Sequence, residues 1–398
     1  MAAFTIALFL IHQTVSAVSP ERDIRPKRII LNLTENPAIE QSVTWRTTSI
    51  LKNPEAQIGI ALETVRVVRD KETIKASVDT VKVDQSLIYY YSASFENLQA
   101  NTIYAYRVGC DDYWSEWNQF KTPDTTDAAF SFVYFGDPQN EVRTKCSRIF
   151  RAAYEKAPHA RFWHFTGDIV NHTNRDNEWE EFFEALGWIP RSTPMILAPG
   201  DHGYPKQLFL VKGLNKFWRS QFTLPENGPE GLKETAYFID YQCARIFILN
   251  SNEKLETQAQ WLDSLLTQTT QIWTIVSMHE PIYSTGKNRD NPKLRELLLP
   301  VIDKHHVDLV LQGHDHAYGR TFKCKGGKKV DETEKGTVYT VSVSGAKVYP
   351  INSRYESLMA KTGNNRQLFQ VIDLNKNELS YTSYNVLGEI FDAFKLIK

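Results

Sequence analysis

Five apolar runs in this chain break off at an aspartate or a histidine, and that pattern restricts the fold more than any other feature. FSFVYFG leads into Asp137, RFWHFTG into Asp168 and TPMILAPG into Asp201; TIVSM leads into His279, and DLVLQG into His314 and His316. Short apolar runs bounded by turn residues read as buried strands. Glycine often stands just before the polar residue, where it lets the backbone turn or approach a neighbour closely. In an open α/β sheet, ligands gather beyond the carboxyl ends of the strands, so five strand ends would bring six potential metal ligands to one rim. A lone aspartate after a strand is commonly a helix cap, and a lone histidine is often only packed. Independent caps would not need the pair His314-x-His316 or the run Gly200-Asp201-His202. A shared metal site accounts for all of them.

Carboxylates mixed with imidazoles suit zinc, manganese or iron better than an all-oxygen calcium or magnesium site. With six side chains, one carboxylate can bridge two ions roughly 3.5–4 Å apart, an arrangement that activates water and stabilises both ends of an in-line displacement.

The periodicity divides the chain in two. Residues 25–122 read as short strands, among them RIILNLT, SVTWRT, ETVRVVR, LIYYYSASF and IYAYRVG, with no helix-length amphipathic segment. That is the pattern of a β-sandwich, with Trp45 and Tyr106 as inward-facing core residues. A linker follows around residues 121–129. From 128 to 398 strands alternate with helices, expected near 143–156, 177–187, 256–269 and 291–306. This argues for an α/β domain with buried sheets. GTVYTVSVSG, QLFQVIDL and ELSYTSYNVLG return to strand pattern, to complete or flank the second sheet.

Composition narrows the class. Apolar residues make up 42 % and charged residues 23 % of 398, which excludes a disordered chain. A net charge of -1 offers no long-range attraction for a nucleic-acid polymer. No later segment is long enough for a transmembrane span. The opening MAAFTIALFLIHQTVSA, residues 1–17, reads as a signal peptide, with Val15 and Ala17 at the small-residue positions before a cut, although no Lys or Arg precedes Arg22. A short hydrophobic strand or anchor is the alternative. The expectation is a secreted or periplasmic protein, in which Cys110, Cys146, Cys243 and Cys324 are permitted, but not required, to pair.

The motifs GDPQ (136–139), GDIVN (167–171), GDH (200–202), MHEP (278–281) and GHDH (313–316) resemble the calcineurin-like metallophosphoesterase superfamily, and within it the purple acid phosphatases. NLT (32–34), VTW (43–45), NTIYAYRVG (101–109), WSEW (114–117) and FKTP (120–123) resemble the fibronectin-III-like domain that precedes the catalytic domain there. The resemblance implies an all-β sandwich followed by an α/β metallophosphoesterase domain of two sheets flanked by helices. It implies that Asp137 and His316 hold one metal, that Asp168 bridges, and that Asp201, His279 and His314 hold the second. His202 would donate a hydrogen bond or a proton to the substrate.

Three positions depart from the purple phosphatase pattern. Asn171 stands where the family has the tyrosine that binds ferric iron, so two divalent ions and no purple charge-transfer band are expected, and Fe(III) is disfavoured. Gln139 stands where many relatives outside the purple group have histidine; its carbonyl either approaches the first metal or hydrogen-bonds behind it. Asp201 replaces the usual asparagine, moving one negative charge toward the second metal.

The resemblance implies direct attack of metal-bound hydroxide on phosphorus. Gly286-Lys287 lacks the context of a Walker loop, and no nucleophilic serine motif is present. A small phosphomonoester is the first expectation for the substrate; a phosphodiester or nucleotide is the second. A non-catalytic secreted binding protein is the third reading. Lys287, Arg289 and Arg320 follow ligand segments and either line the cleft mouth or are ordinary solvated surface. Trp188, Tyr204 and Tyr283 are candidate leaving-group contacts. Oligomeric state is not legible.

Overall fold

The computed structural model describes residues 24–83, 85–204 and 213–398. The leader expected over residues 1–17 lies outside them. No helix among the described residues is long and apolar enough to cross a membrane.

The first unit is a sandwich of two antiparallel sheets. One carries Lys27–Asn32, Gln41–Thr47, Ser86–Phe95 and Ser77–Val83; the other carries Val68–Lys75, Glu55–Ala61, Ile103–Cys110, Tyr113–Trp114 and Asn118–Lys121. Its interior is aromatic: Trp45 stacks on Tyr91 at 5.6 Å, and Phe95, Tyr106 and Phe120 pack beside them. Burying each such ring contributes about 2–3 kcal/mol.

The second unit places two sheets face to face. Phe130–Phe135, Trp163–Phe165 and Met195–Leu197 run parallel in the first. Ala244–Ile248, Trp273–Ser277, Leu309–Gln312 and Val338–Val341 run parallel in the second. Strict alternation decides which side chains meet. Ile246, Ile248, Ile275, Leu309 and Leu311 face the first sheet, whereas Phe247, Val276 and Val310 face two outer helices. Those helices, Leu255–Gln268 and Pro292–His305, bury Leu262 and Leu266, and Leu294, Leu298 and Ile302, at helical spacing. On the opposite side Asp176–Leu186 buries Trp179, Phe182, Phe183 and Leu186 and stops at Gly187, which has φ 63°.

Polar stitches fix how the two sheets align. His164 Nε2 lies 2.6 Å from Ser277 Oγ, and the Tyr134 hydroxyl donates to the carbonyl of Gln312 and accepts its amide. Burial holds the His164 imidazole down near pKa 4, so it remains a neutral core histidine.

Two features depart from the sequence reading. Leu368–Leu374 and Glu378–Asn385 extend the first sheet through pairing with Phe130–Phe135; only Val338–Val341 joins the second. The two units also share a sheet: Asn32 pairs with Met195 in parallel register, so ten strands run from one unit into the other. Tyr106 reinforces the junction, its hydroxyl donating to the Arg191 carbonyl at 2.8 Å. All four cysteines are free and buried.

Candidate metal centre

Both sheets end at the same rim. Asp137, Asp168 and Asp201 follow the three parallel strands of the first sheet, and His279, His314 and His316 follow two strands of the second. Asp137, Asp168, His314 and His316 all have left-handed backbone, with φ of 43°, 46°, 71° and 49°. Such conformations are uncommon for residues with a side chain and collect at functional sites.

Ligand atoms of Asp168, Asp201, His279 and His314 all lie within 4.8 Å of one another. His279 Nδ1 donates to the Thr166 carbonyl at 2.8 Å, which turns Nε2 inward. That nitrogen sits 3.2 Å from Asp168 Oδ2, 3.4 Å from Asp201 Oδ1 and 3.1 Å from His314 Nδ1. Asp168 is fixed further by the His202 amide on Oδ1 at 3.0 Å and by Gln139 Nε2 on Oδ2 at 3.1 Å.

The neighbouring group is Asp137, Gln139 and His316. Gln139 Nε2 is 3.1 Å from His316 Nε2, so its amide spans the gap between His316 and Asp168. Both Asp137 carboxylate oxygens, Gln139 Oε1 and His316 Nδ1 are buried with no hydrogen-bond partner. Burial, with the nearby carboxylates, drives the Asp137 carboxyl well above its ordinary pKa despite His279. A buried carboxylate without a donor is costly. A cation relieves that cost, and the carboxylate and imidazole donors suit the metals expected from the sequence.

Burial alone would raise the Asp201 carboxyl, but hydrogen bonds and charge from His279 and His314 carry it far below the usual carboxylate range. His202 is held by its Nδ1, which donates to the Asn171 carbonyl at 2.6 Å; its Nε2 lies 3.7 Å from Asp168 Oδ2. The Asn171 side chain turns instead to His172.

The proposed substrate contacts separate. Arg289 Nη1 contacts His314 Nε2 and stands at the centre, while Lys287 is exposed beside it. Arg320 is not available there, because its guanidinium forms a fork with Asp392 at 2.6 and 2.9 Å. Tyr283 is 3 % exposed and packs between Tyr339 and Tyr355 as a core residue. Trp188 packs on Tyr154 near the sandwich junction, and Tyr204 hydrogen-bonds Asn250 at 2.6 Å.

Other residues at the site were not singled out in the sequence. Tyr349 packs edge-on against His316 at 5.1 Å, and Lys347 lies beside it. Asp315 accepts the amides of Thr285 and Gly286, tying down the loop that leads to Arg289. The run SVSGAKVY carries the same signal as the other strand ends: an apolar strand broken at a glycine. The Thr166 carbonyl has no side-chain signature.

Comparison with known proteins agrees with this architecture. Residues 26–122 match the purple acid phosphatase N-terminal domain family, and residues 130–318 match the calcineurin-like phosphoesterase family. The chain belongs to the calcineurin-like metallophosphoesterases and carries the purple acid phosphatase N-terminal domain ahead of the catalytic one. It is 22 % identical to an uncharacterized Mycobacterium tuberculosis protein, over 81 % of this chain and 70 % of that protein. It is 25 % identical to purple acid phosphatase 22 of Arabidopsis thaliana, over 59 % of this chain and about half (54 %) of that enzyme. Among solved structures, yellow lupin purple acid phosphatase PPD1 superposes with a TM-score of 0.77 at 18 % identity, over 94 % of this chain and 74 % of that one. PhoD superposes with a TM-score of 0.67 at 13 % identity, over 94 % of each chain.

Proposed function

We propose that this chain hydrolyses small phosphomonoesters using two divalent metal ions. Asp137 and His316 would hold one, Asp201, His279 and His314 the other, and Asp168 would bridge them. The observation that carries this reading is the buried Asp137 carboxylate, which accepts no hydrogen bond and has His279 Nδ1 at 3.5 Å, beside the inward-facing donors of Asp168, Asp201, His279 and His314. When bound, the metals supply activation of water and neutralise charge on the phosphoryl oxygens.

The protein's own residues orient that chemistry. The Thr166 carbonyl selects the tautomer in which His279 Nε2 faces inward, and Gln139 and the His202 amide hold Asp168 in place. The Asn171 carbonyl anchors His202 through Nδ1, leaving Nε2 to meet the substrate. In its protonated form His202 donates to the phosphate or to the departing alkoxide.

Zinc, manganese or ferrous iron fits this donor set. With the Asn171 amide directed at His172, no phenolate is offered at that position, and the iron-loaded protein should lack the purple charge-transfer band. Export to the periplasm or medium is part of the same proposal and rests on the leader-like residues 1–17.

Metal analysis followed by assays on phosphomonoesters, phosphodiesters and nucleotides tests the reading. Preferential monoester hydrolysis, abolished by chelation and restored by metal, supports it. Preference for diesters or nucleotides would reassign the substrate class. Absence of both metal and hydrolysis would leave a binding protein.

A further inference from the structure

We propose that Arg289, Lys347 and Tyr349 form a subsite for a second negative charge on the leaving group, so that the preferred esters carry another anionic group close to the scissile phosphate. This rests on the hydrolase reading for the position of the first phosphate.

The first observation is which cations at this rim are already neutralised. Arg295 and Arg354 both pair with Asp290, and Arg320 pairs with Asp392. Arg289 and Lys347 have no carboxylate in ion-pair contact among the described residues. With exposed Lys287 beside Arg289, they leave positive charge at this rim without a carboxylate partner among the described residues.

The second observation is where they stand. Arg289 Cζ and Lys347 Nζ lie 5.0 and 5.4 Å from the centroid of the Tyr349 ring. That ring packs against His316, and Arg289 itself touches His314. The two cations thus border the metal centre beside His314 and His316.

The third observation is preorganisation. The Tyr349 amide donates to the His316 carbonyl at 3.2 Å, Lys287 N donates to the Pro350 carbonyl at 2.8 Å, and Asn352 Nδ2 donates to the Arg289 carbonyl at 3.2 Å. Asp315 secures the same loop from beneath. Both cation-bearing segments are tied to each other and to the ligand segment, which lowers the ordering cost of binding. Guanidinium and ammonium recognise a carboxylate or a second phosphate equally well, so the second anionic group is the shared chemistry.

The test uses the metal-loaded full chain and non-hydrolysable ligands of similar length: ethylphosphonate, phosphonoacetate, 1,2-ethylenediphosphonate and 2-aminoethylphosphonate. Calorimetry should show the two ligands with a second anionic group binding about tenfold more tightly than ethylphosphonate, with zwitterionic 2-aminoethylphosphonate weakest. The two anionic arms separate a carboxylate from a second phosphate. Lys347→Gln should shrink the gap to about two- to threefold, and Lys347→Glu should favour the ammonium-bearing 2-aminoethylphosphonate, with metal content measured for each variant. Equal binding of all four ligands, or a variant that weakens all of them alike, would overturn the subsite. A protein that shows the charge preference but hydrolyses no ester would remove the hydrolase reading alone. A protein that hydrolyses monoesters without the charge preference would remove the subsite alone.

Discussion

The Asp168 carboxylate occupies the space that a side chain at Gly200 would need: a Cβ there would lie 2.1 Å from Oδ1 and 2.4 Å from the Asp168 amide. The glycine of the GDH run is therefore required by its neighbour's ligand atom, beyond any need of its own turn. Gly200→Ala should displace Asp168 and cut phosphomonoester turnover by ~10²-fold or more, because small misplacements of reacting groups are that costly. Bound metal, measured by elemental analysis, should fall with it. Gly187→Ala is the comparison. A Cβ there meets nothing within 4 Å, but the backbone has φ 63° and ψ -126°, so the variant should lose about 1–3 kcal/mol of stability and keep its metal.

Asp201→Asn tests the charge distribution. Asp201 Oδ1 faces His279 Nε2 at 3.4 Å and His314 Nδ1 at 3.3 Å, and asparagine has nearly the same size. Removing the charge should weaken retention of the second metal by about tenfold. It should also make that metal a stronger Lewis acid, moving the acidic limb of the pH–rate profile to lower pH and raising turnover a few-fold per metal bound. Unchanged metal retention together with an unchanged profile would refute the charge argument.

The convergence of Asp168, Asp201, His279 and His314 is legible in the sequence because each candidate donor is announced locally, by an apolar strand, a break and a polar residue. Lys347 and Tyr349 follow the same grammar after Val338–Val341, but the break carries neither the carboxylate nor the imidazole that marks the other strand ends. Arg320 shows the opposite failure. It lies close to a motif in the chain, yet its partner Asp392 is 72 residues away, on a strand that only the folded sheet brings near. The change of period around residues 121–129 marks where the chain changes character but not where the sheet ends. The Asn32–Met195 pairing that joins the units spans 163 positions and leaves no local trace.

That junction also carries a buried ionic network. Asp176 accepts Arg28 Nη1 at 2.8 Å and Arg46 Nη1 at 2.6 Å, tying two sandwich strands to the helix Asp176–Leu186. Burial opposes ionisation of Asp176, but the hydrogen bond from Arg46 and the charge of both arginines leave its pKa below the usual value. With the unfolded carboxyl near ~3.9, this stabilisation is complete above that pH and is lost as pH falls through the lower folded value. Asp176→Asn should cost about 2–4 kcal/mol at neutral pH, since it leaves the Arg46 guanidinium without its carboxylate and Arg28 with Glu180 alone. Denaturant titrations should show the difference closing below about pH 4.

Glu234 behaves with the opposite sign. Its carboxyl is pushed up to about 7 by burial, with Arg219, at 3.8 Å, too distant to offset the loss of water. The folded protein therefore holds a proton that the unfolded chain releases near pH ~4.3, and stability from this group falls as pH rises from there to about 7. Glu234→Gln keeps the shape and removes the ionisation, so it should stabilise the chain by about 1–3 kcal/mol at pH 8 and leave it little changed at pH 4. Thermal unfolding of both proteins across that range checks this. A Tm difference that does not change with pH would show that Glu234 remains ionised in the folded state.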